Sequence, residues 1–441
     1  MAEQYQVMSN QLAVSETGRV DIVPTTKERE RLRSLAEEFA EIAQSDVVCE
    51  RKDAWKAVRD LKPVRPMVLF ETLTVSGFVK PDEFECENEY LRNVEHSFVE
   101  ALKHYHTVGD DIVFDNYFQL AWRTSKSDWG VKIVEHHADD SMAYMSNFPI
   151  KEPADLKKLR KREFSVDRER TLGFKDTLED IFGDILPVRV GNVDKFFSDM
   201  GFNPFVGNNA PLLTMDVFKM MGYESMSFWA YDNEKEFREL LDFLLDDNVS
   251  YFKWLEQEGL LTLNTDSQFA GPSGYGYVSD LPEADGKPAR IKDCWTWCES
   301  QEGNIFSPQM FAELFLPYLA DYSNMFGLVS YGCCEAVDDR IEYIKKAMPK
   351  LRTVSVSGWN NFEKVAESLG QGYVYCRKPM PTYISGRLPD WEGARDEIER
   401  TYKAAKDQPV EFIFRDVYDL DGDMSRIAKW VDMTKRVIGV T

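Results

Sequence analysis

Residues Phe326 to Arg340 read FGLVSYGCCEAVDDR, and the order of residue types within them decides the fold. The apolar pair Leu328-Val329 runs through Ser330-Tyr331-Gly332 into Cys333-Cys334-Glu335. Ile341, Ile344 and Met348 follow at helical spacing. This pattern is a strand that delivers thiols and a carboxylate to its C-terminal end, then a helix. In barrels of parallel strands and helices, that end carries the chemistry.

The same beat continues outward in both directions. Downstream come strand Thr353–Val356, helix Asn361–Leu369, strand Tyr373–Cys376, helix Trp391–Ala405, strand Val410–Phe414 and a closing helix to Val437. Upstream, Ser307-Pro308 opens a helix through Met310, Phe311, Leu314 and Phe315. Before it lie strand Leu260–Leu263, helix Glu234–Glu258 with Phe237, Leu240, Leu241 and Leu244 on one face, and strand Ile185–Val190. Met67–Phe70, ending at Glu71, reads as the first strand and Asp111–Phe114 as the second, with a helix through Asn93 to His104 between them. From about Phe118 to Lys161 the aromatics and Gly130 suggest loops or a small hairpin layer. Thr25 and Glu28 form a capping box ahead of the stripe Leu32, Leu35, Phe39 and Ile42, and the run Lys62-Pro63-Val64-Arg65-Pro66 ends that helical segment.

Repeated strand-then-helix units imply a parallel sheet with right-handed crossovers, and a count near eight favours closure. The expected architecture is α/β: a (β/α)8 TIM barrel over residues 63–441 with an N-terminal helical extension over 1–62. No glycine-rich phosphate fingerprint follows any strand, which weakens a dinucleotide-binding alternative. Between Asp266 and Ile291 a long loop carries Gly271, Pro272, Gly274, Gly276 and Gly286. Loops of that length are usually functional or mobile, and this one is expected at the barrel mouth as a docking element.

A net charge of −23 disfavours phosphate backbones and anionic lipid, so neither nucleic acid nor a membrane surface is an expected partner. No apolar run reaches the roughly 20 residues that span a bilayer, and the polar start, Met1 to Asn10, lacks a signal-peptide core. A cytoplasmic location is expected. Seven cysteines, two of them adjacent, do not make a disulfide framework; reduced thiols, some available to a metal, fit better.

The blocks SPQMFAELFLPY, FGLVSYGCCE, LRTVSVSGW, YVYCRKPMP, FIFRDV and GDMSRIAKWV resemble the uroporphyrinogen decarboxylase superfamily, in its corrinoid-dependent methyltransferase branch from anaerobic bacteria. Within that branch the chain is most similar to the methyltransferase component of O-demethylases. The resemblance implies a (β/α)8 barrel that takes the methyl group of an aryl methyl ether and passes it to the Co(I) of a separate corrinoid (cobalamin) protein. It also implies Zn²⁺ acting as a Lewis acid on the ether oxygen. Relatives place His-x-Cys on one strand end and a further Cys on the last strand. Here Tyr331 stands in place of the His, Cys333 matches the first Cys, and the final Cys is replaced near Arg415-Asp416-Val417. All five histidines lie at or before His137. The implied metal ligands are therefore Cys333, Glu335 and Cys376, with Cys334 and Asp416 as possible companions. No cobalamin-binding DxHxxG segment is present, so the corrinoid arrives on its partner.

Strand alternation puts Cys333 and Glu335 on one side and Cys334 on the other. Cys333 and Cys376 are as readable as buried inert thiols, and Glu335 as a cap of the next helix. Cys294 and Cys298, four apart, suit packing better than a metal. Trp295, Trp297 and Tyr331 suggest an apolar slot for a small methoxylated aromatic substrate, with Gln301 or Glu302 placing its polar substituent; core packing explains them as well. Tyr331 and Glu71 are the catalytic candidates, Glu71 as general acid or hydrogen-bond acceptor against the alternative of an ion pair with an arginine. Arg377 and Lys378 pair with acidic groups or bind an anionic substrate. Two other functions remain open: a metal-independent decarboxylase of the same superfamily, and a non-catalytic module that binds a corrinoid protein.

Overall fold

The computed structural model describes residues 22–137, 144–192 and 209–440; the polar start Met1 to Asn10 lies outside them. Helix α1, Thr26–Ala43, begins at the expected capping box: the Glu28 N–H donates to Thr25 Oγ1 at 3.2 Å, and the Thr25 N–H donates to the Glu28 carboxylate at 2.9 Å. Its stripe of Leu32, Leu35, Phe39 and Ile42 is buried. Helix α2, Asp46–Arg59, follows from an N-cap at Ser45.

Strand β1, Met67–Phe70, leads to helix α3, Glu89–Thr107. Strands β2, Phe118–Ala121, and β3, Val188–Gly191, come next, then helices α4, Leu213–Asp232, and α5, Glu234–Gln257. The regular part runs β4 Trp295–Cys298, α6 Pro308–Leu314, α7 Leu316–Ser323, β5 Leu328–Tyr331, α8 Ile341–Ala347 and β6 Leu351–Val356. It ends with α9 Phe362–Leu369, β7 Val374–Arg377, α10 Trp391–Ala405, β8 Val410–Phe414 and α11 Ser425–Val437.

Six of these strands form one parallel sheet in the order β1-β8-β7-β6-β5-β4, while β2 and β3 pair in parallel with each other. The fold is thus mixed α/β around a parallel sheet. All six strands end on the same edge, so the residues after Phe70, Cys298, Tyr331, Val356, Arg377 and Phe414 share one neighbourhood.

Two expected strands are not ladder strands, for one physical reason. At Asp111–Phe114 the aspartates take the place of a neighbouring strand: the Phe70 N–H donates to Asp110 Oδ2 at 2.8 Å and the Val68 N–H to Asp111 Oδ2 at 2.9 Å. The strand forms later, at Phe118, inside the stretch expected to be loop. Leu260–Leu263 likewise makes only the isolated bridge Thr262 to Pro288. Around it, side-chain amides supply the bonds: Asn192 Oδ1 accepts from the Thr262 N–H at 3.0 Å, and Asn264 Oδ1 accepts from the Trp295 N–H at 2.9 Å. The expected hairpin layer is present as two antiparallel pairs, Thr124–Lys126 with Phe164–Val166 and Glu135–His137 with Tyr144–Ser146.

The long loop also differs from expectation. Residues 270–276 are buried, and they pack against one face of the six-stranded sheet. Pro272 O accepts from Ser355 Oγ at 3.3 Å, the Gly274 N–H donates to Glu411 Oε2 at 3.0 Å, and Gly276 O accepts from the Trp295 indole at 2.8 Å. Gly274 is required there, because a Cβ would stand 2.1 Å from the Trp55 ring. This segment is core, whereas most of residues 279–290 stay exposed. Among the described residues no helix is long and apolar enough to cross a membrane.

Candidate functional site

The site is built by a turn. After β5, Gly332 adopts φ +103, and a Cβ there would lie 2.8 Å from Ser355 O. That positive φ ends the pleat before Cys333, so alternation no longer governs the two cysteines. Glu335 then clamps the turn: Oε2 accepts from the Cys333 N–H at 2.6 Å and Oε1 from the Ser300 N–H at 3.0 Å. The Trp297 indole donates to Gly332 O at 3.0 Å.

Both thiols therefore emerge together at the sheet edge. The Cys333 sulfur lies 3.8 Å from the Cys334 sulfur, which lies 3.7 Å from Asp416 Oδ2, and the Lys378 ammonium stands 3.9 Å from the Cys334 sulfur. Cys333, Cys334 and Asp416 are half-buried, whereas Lys378 is only 4% exposed. Asp416 holds φ +61, uncommon for a residue other than glycine, directly after Arg415. Arg415 makes a two-point pair with Glu71, Nε to Oε2 at 2.8 Å and Nη2 to Oε1 at 2.6 Å. These groups come from the ends of β1, β5, β7 and β8.

The electrostatics follow from burial and proximity. The hydrogen bond from Cys333 lowers the Cys334 thiol below its ordinary pKa against the opposing effect of burial, and Lys378 adds to the lowering; the same bond, with burial, raises Cys333. Burial alone would depress the Lys378 ammonium, but the two thiols and Asp416 outweigh it and hold the pKa above its usual value.

The other sequence-derived candidates are placed elsewhere. Glu71 is the arginine partner its alternative reading named, and both its oxygens are engaged. Tyr331 turns away from the cysteines into a buried polar group with Glu335, Arg340 and Glu299, and its hydroxyl has no hydrogen-bond partner among the described residues. Cys376 faces the inner sheet, 3.8 Å from Pro272 O and beside the Arg59–Glu411 ion pair. Arg377, one residue on, points the other way and pairs with Glu397 of α10, so it is not a mouth residue. Trp295 and Trp297 are covered by the buried 270–276 segment, and a Cβ on Gly271 would stand 2.8 Å from the Trp297 ring, so they line no open slot. Gln301 is exposed, and Glu302, just beyond the end of β4, accepts from Thr214 Oγ1 of α4 at 2.7 Å. Burial raises Glu299 and Glu302, and the charge of Glu302 raises Glu299 further.

The implied zinc ligands are thus not assembled. Both Glu335 oxygens are spent on backbone N–H groups, Cys376 faces a different ion pair, and the Lys378 cation stands among the remaining thiols. Among the described residues no group of three or more His, Cys, Asp and Glu side chains is arranged to hold a metal ion. Asp416 and Cys334, named only as companions, are in the cluster, and so is Lys378, noted as an anion-binding candidate.

No protein-family profile matches the chain, and no curated protein matches it. Among solved structures it is similar to a methyltransferase from Methanosarcina mazei, at 11% identity and a TM-score of 0.47 over 88% of this chain and 98% of that one. A likeness at that distance assigns neither a family nor a reaction.

One further buried network escaped the sequence reading. Thr72 Oγ1 lies 2.8 Å from His104 Nδ1, and His104 Nε2 lies 2.9 Å from Asp110 Oδ2, tying α3 to the end of β1. Nothing in the spacing of Thr72, His104 and Asp110 announces it, since chain turns alone bring them together.

Proposed function

We propose that this chain is a methyltransferase of the corrinoid-dependent branch its sequence resembles, removing the methyl group of an aryl methyl ether and passing it to Co(I) of a separate corrinoid protein. We further propose that the β2–β3 pair closes the six-stranded sheet into the expected barrel, with the asparagine and aspartate bonds at Thr262, Trp295, Val68 and Phe70 spanning the gaps. The observation that carries the functional reading is the convergence of Cys333, Cys334, Lys378, Asp416 and the Glu71–Arg415 pair at the C-terminal strand ends, where barrel enzymes hold their chemistry.

In the proposed reaction the carbon–oxygen bond breaks and its electron pair stays on the aryl oxygen, while the Co(I) acceptor supplies the pair for the new bond to the methyl carbon. An aryl oxygen leaves only when its developing charge is met by a fixed positive group. The site offers two buried cations, Lys378 and Arg415. The partner must approach the strand-end edge, because donor carbon and acceptor need near-attack contact.

The test is to mix the purified chain with a methoxyarene and a Co(I) corrinoid protein and follow methylation of the cobalt. Transfer is expected only with both present. Demethylation by the chain alone, or no transfer with any methoxyarene, would contradict the proposal.

A further inference from the structure

The two buried cations differ in one respect. Arg415 is already neutralised by both oxygens of Glu71. Lys378 is not: among the described residues its ammonium contacts the Cys334 sulfur at 3.9 Å and has no carboxylate at ion-pair distance. Asp416 contacts the same sulfur instead, at 3.7 Å from its Oδ2. An ammonium that is 4% exposed and makes this one sulfur contact keeps N–H donors for an anion that enters the site. The half-buried thiols beside it leave the approach partly open to solvent.

The zinc set implied by resemblance fails at the same place. Removing Glu335 and Cys376 from it leaves Cys333, Cys334 and Asp416, and the cation already among them is Lys378. Resting on the methyl-transfer reading above, we infer that the Lys378 ammonium serves in place of a metal ion and binds the oxyanion that demethylation creates, so that the substrate class is phenolic: aryl methyl ethers whose product is a phenolate.

Two measurements on the full chain test this. The first is equilibrium binding of 4-nitrophenolate and of its neutral ether, 4-nitroanisole. Loss of a charge-assisted contact in Lys378→Met is expected to weaken phenolate binding by about tenfold or more. Lys378→Arg should keep most of it, and neither change should alter binding of the ether. The second is zinc content: well below one per chain in the native protein, and unaffected by Cys333→Ser. Phenolate affinity unchanged in a folded Lys378→Met variant overturns the inference. So does stoichiometric zinc that Cys333→Ser removes, a result that needs no Lys378 variant to fold. Methyl transfer to a corrinoid protein is scored separately. Transfer that is indifferent to Lys378→Met overturns the inference and leaves the functional reading standing, whereas phenolate held through Lys378 without transfer to any corrinoid upholds the inference and ends that reading.

Discussion

The Trp297 indole donates to the Gly332 carbonyl at 3.0 Å, so a ring on β4 holds the turn that releases both cysteines of the neighbouring strand. Trp297→Phe keeps most of the packing and removes the donor, leaving a buried carbonyl unpaired. The expected loss is about 1–3 kcal/mol of stability by chemical denaturation. The exposure of Cys333 and Cys334 to thiol reagents should rise with it. A variant as stable as the parent with unchanged labelling would mean the bond does not hold the turn.

Glu71 and Arg415 are buried as a pair. Glu71→Gln strands a guanidinium charge and is expected to cost about 3–5 kcal/mol, while Glu71→Gln combined with Arg415→Met should recover a large part of that. Urea unfolding of the single and double variants measures the difference. Equal losses in both would indicate that Glu71 serves something other than Arg415.

The thiols should not react alike. Cys334 is lowered by the Cys333 hydrogen bond and by Lys378, whereas burial raises Cys294, Cys298 and Cys376. Limited alkylation near neutral pH, read by peptide mass spectrometry, should modify Cys334 ahead of Cys333 and leave the four buried thiols, Cys86 among them, intact. Lys378→Met should slow Cys334. Preferential modification of Cys333 would reverse the assignment.

Glu299 and Glu302 follow the end of β4 with pKa values raised by burial, so the folded chain holds protons that the unfolded chain releases. Stability from this pair is full below the ordinary carboxyl value and falls as pH rises from there through the raised folded values. Unfolding free energies measured across that range should decline with pH in the native protein and decline less in Glu299→Gln. Identical slopes would show that the pair does not share this burden.

The local elements follow from the chain itself. The Thr25–Glu28 capping box, the stripe of α1 and the strand-then-helix order after Ser307 all rest on contacts between near neighbours, and those are written in spacing. The collection of Cys333, Cys334 and Asp416 was partly legible too, because each ends a recognisable strand. Tertiary structure decided what spacing cannot. The φ of Gly332 cancels the alternation that would have parted Cys333 from Cys334, and it is imposed by Ser355 and Trp297 from neighbouring strands. The face that Cys376 and Arg377 each present depends on which layer lies against β7. Asp110, Asp111, Asn192 and Asn264 replace ladder bonds because of what faces them across the sheet, a long-range fact that turned two apparent strands into connecting segments. The two cations are told apart for the same reason: Glu71 reaches Arg415 with both oxygens, while the Lys378 ammonium meets the Cys334 sulfur, and only the packed structure shows which cation takes which partner.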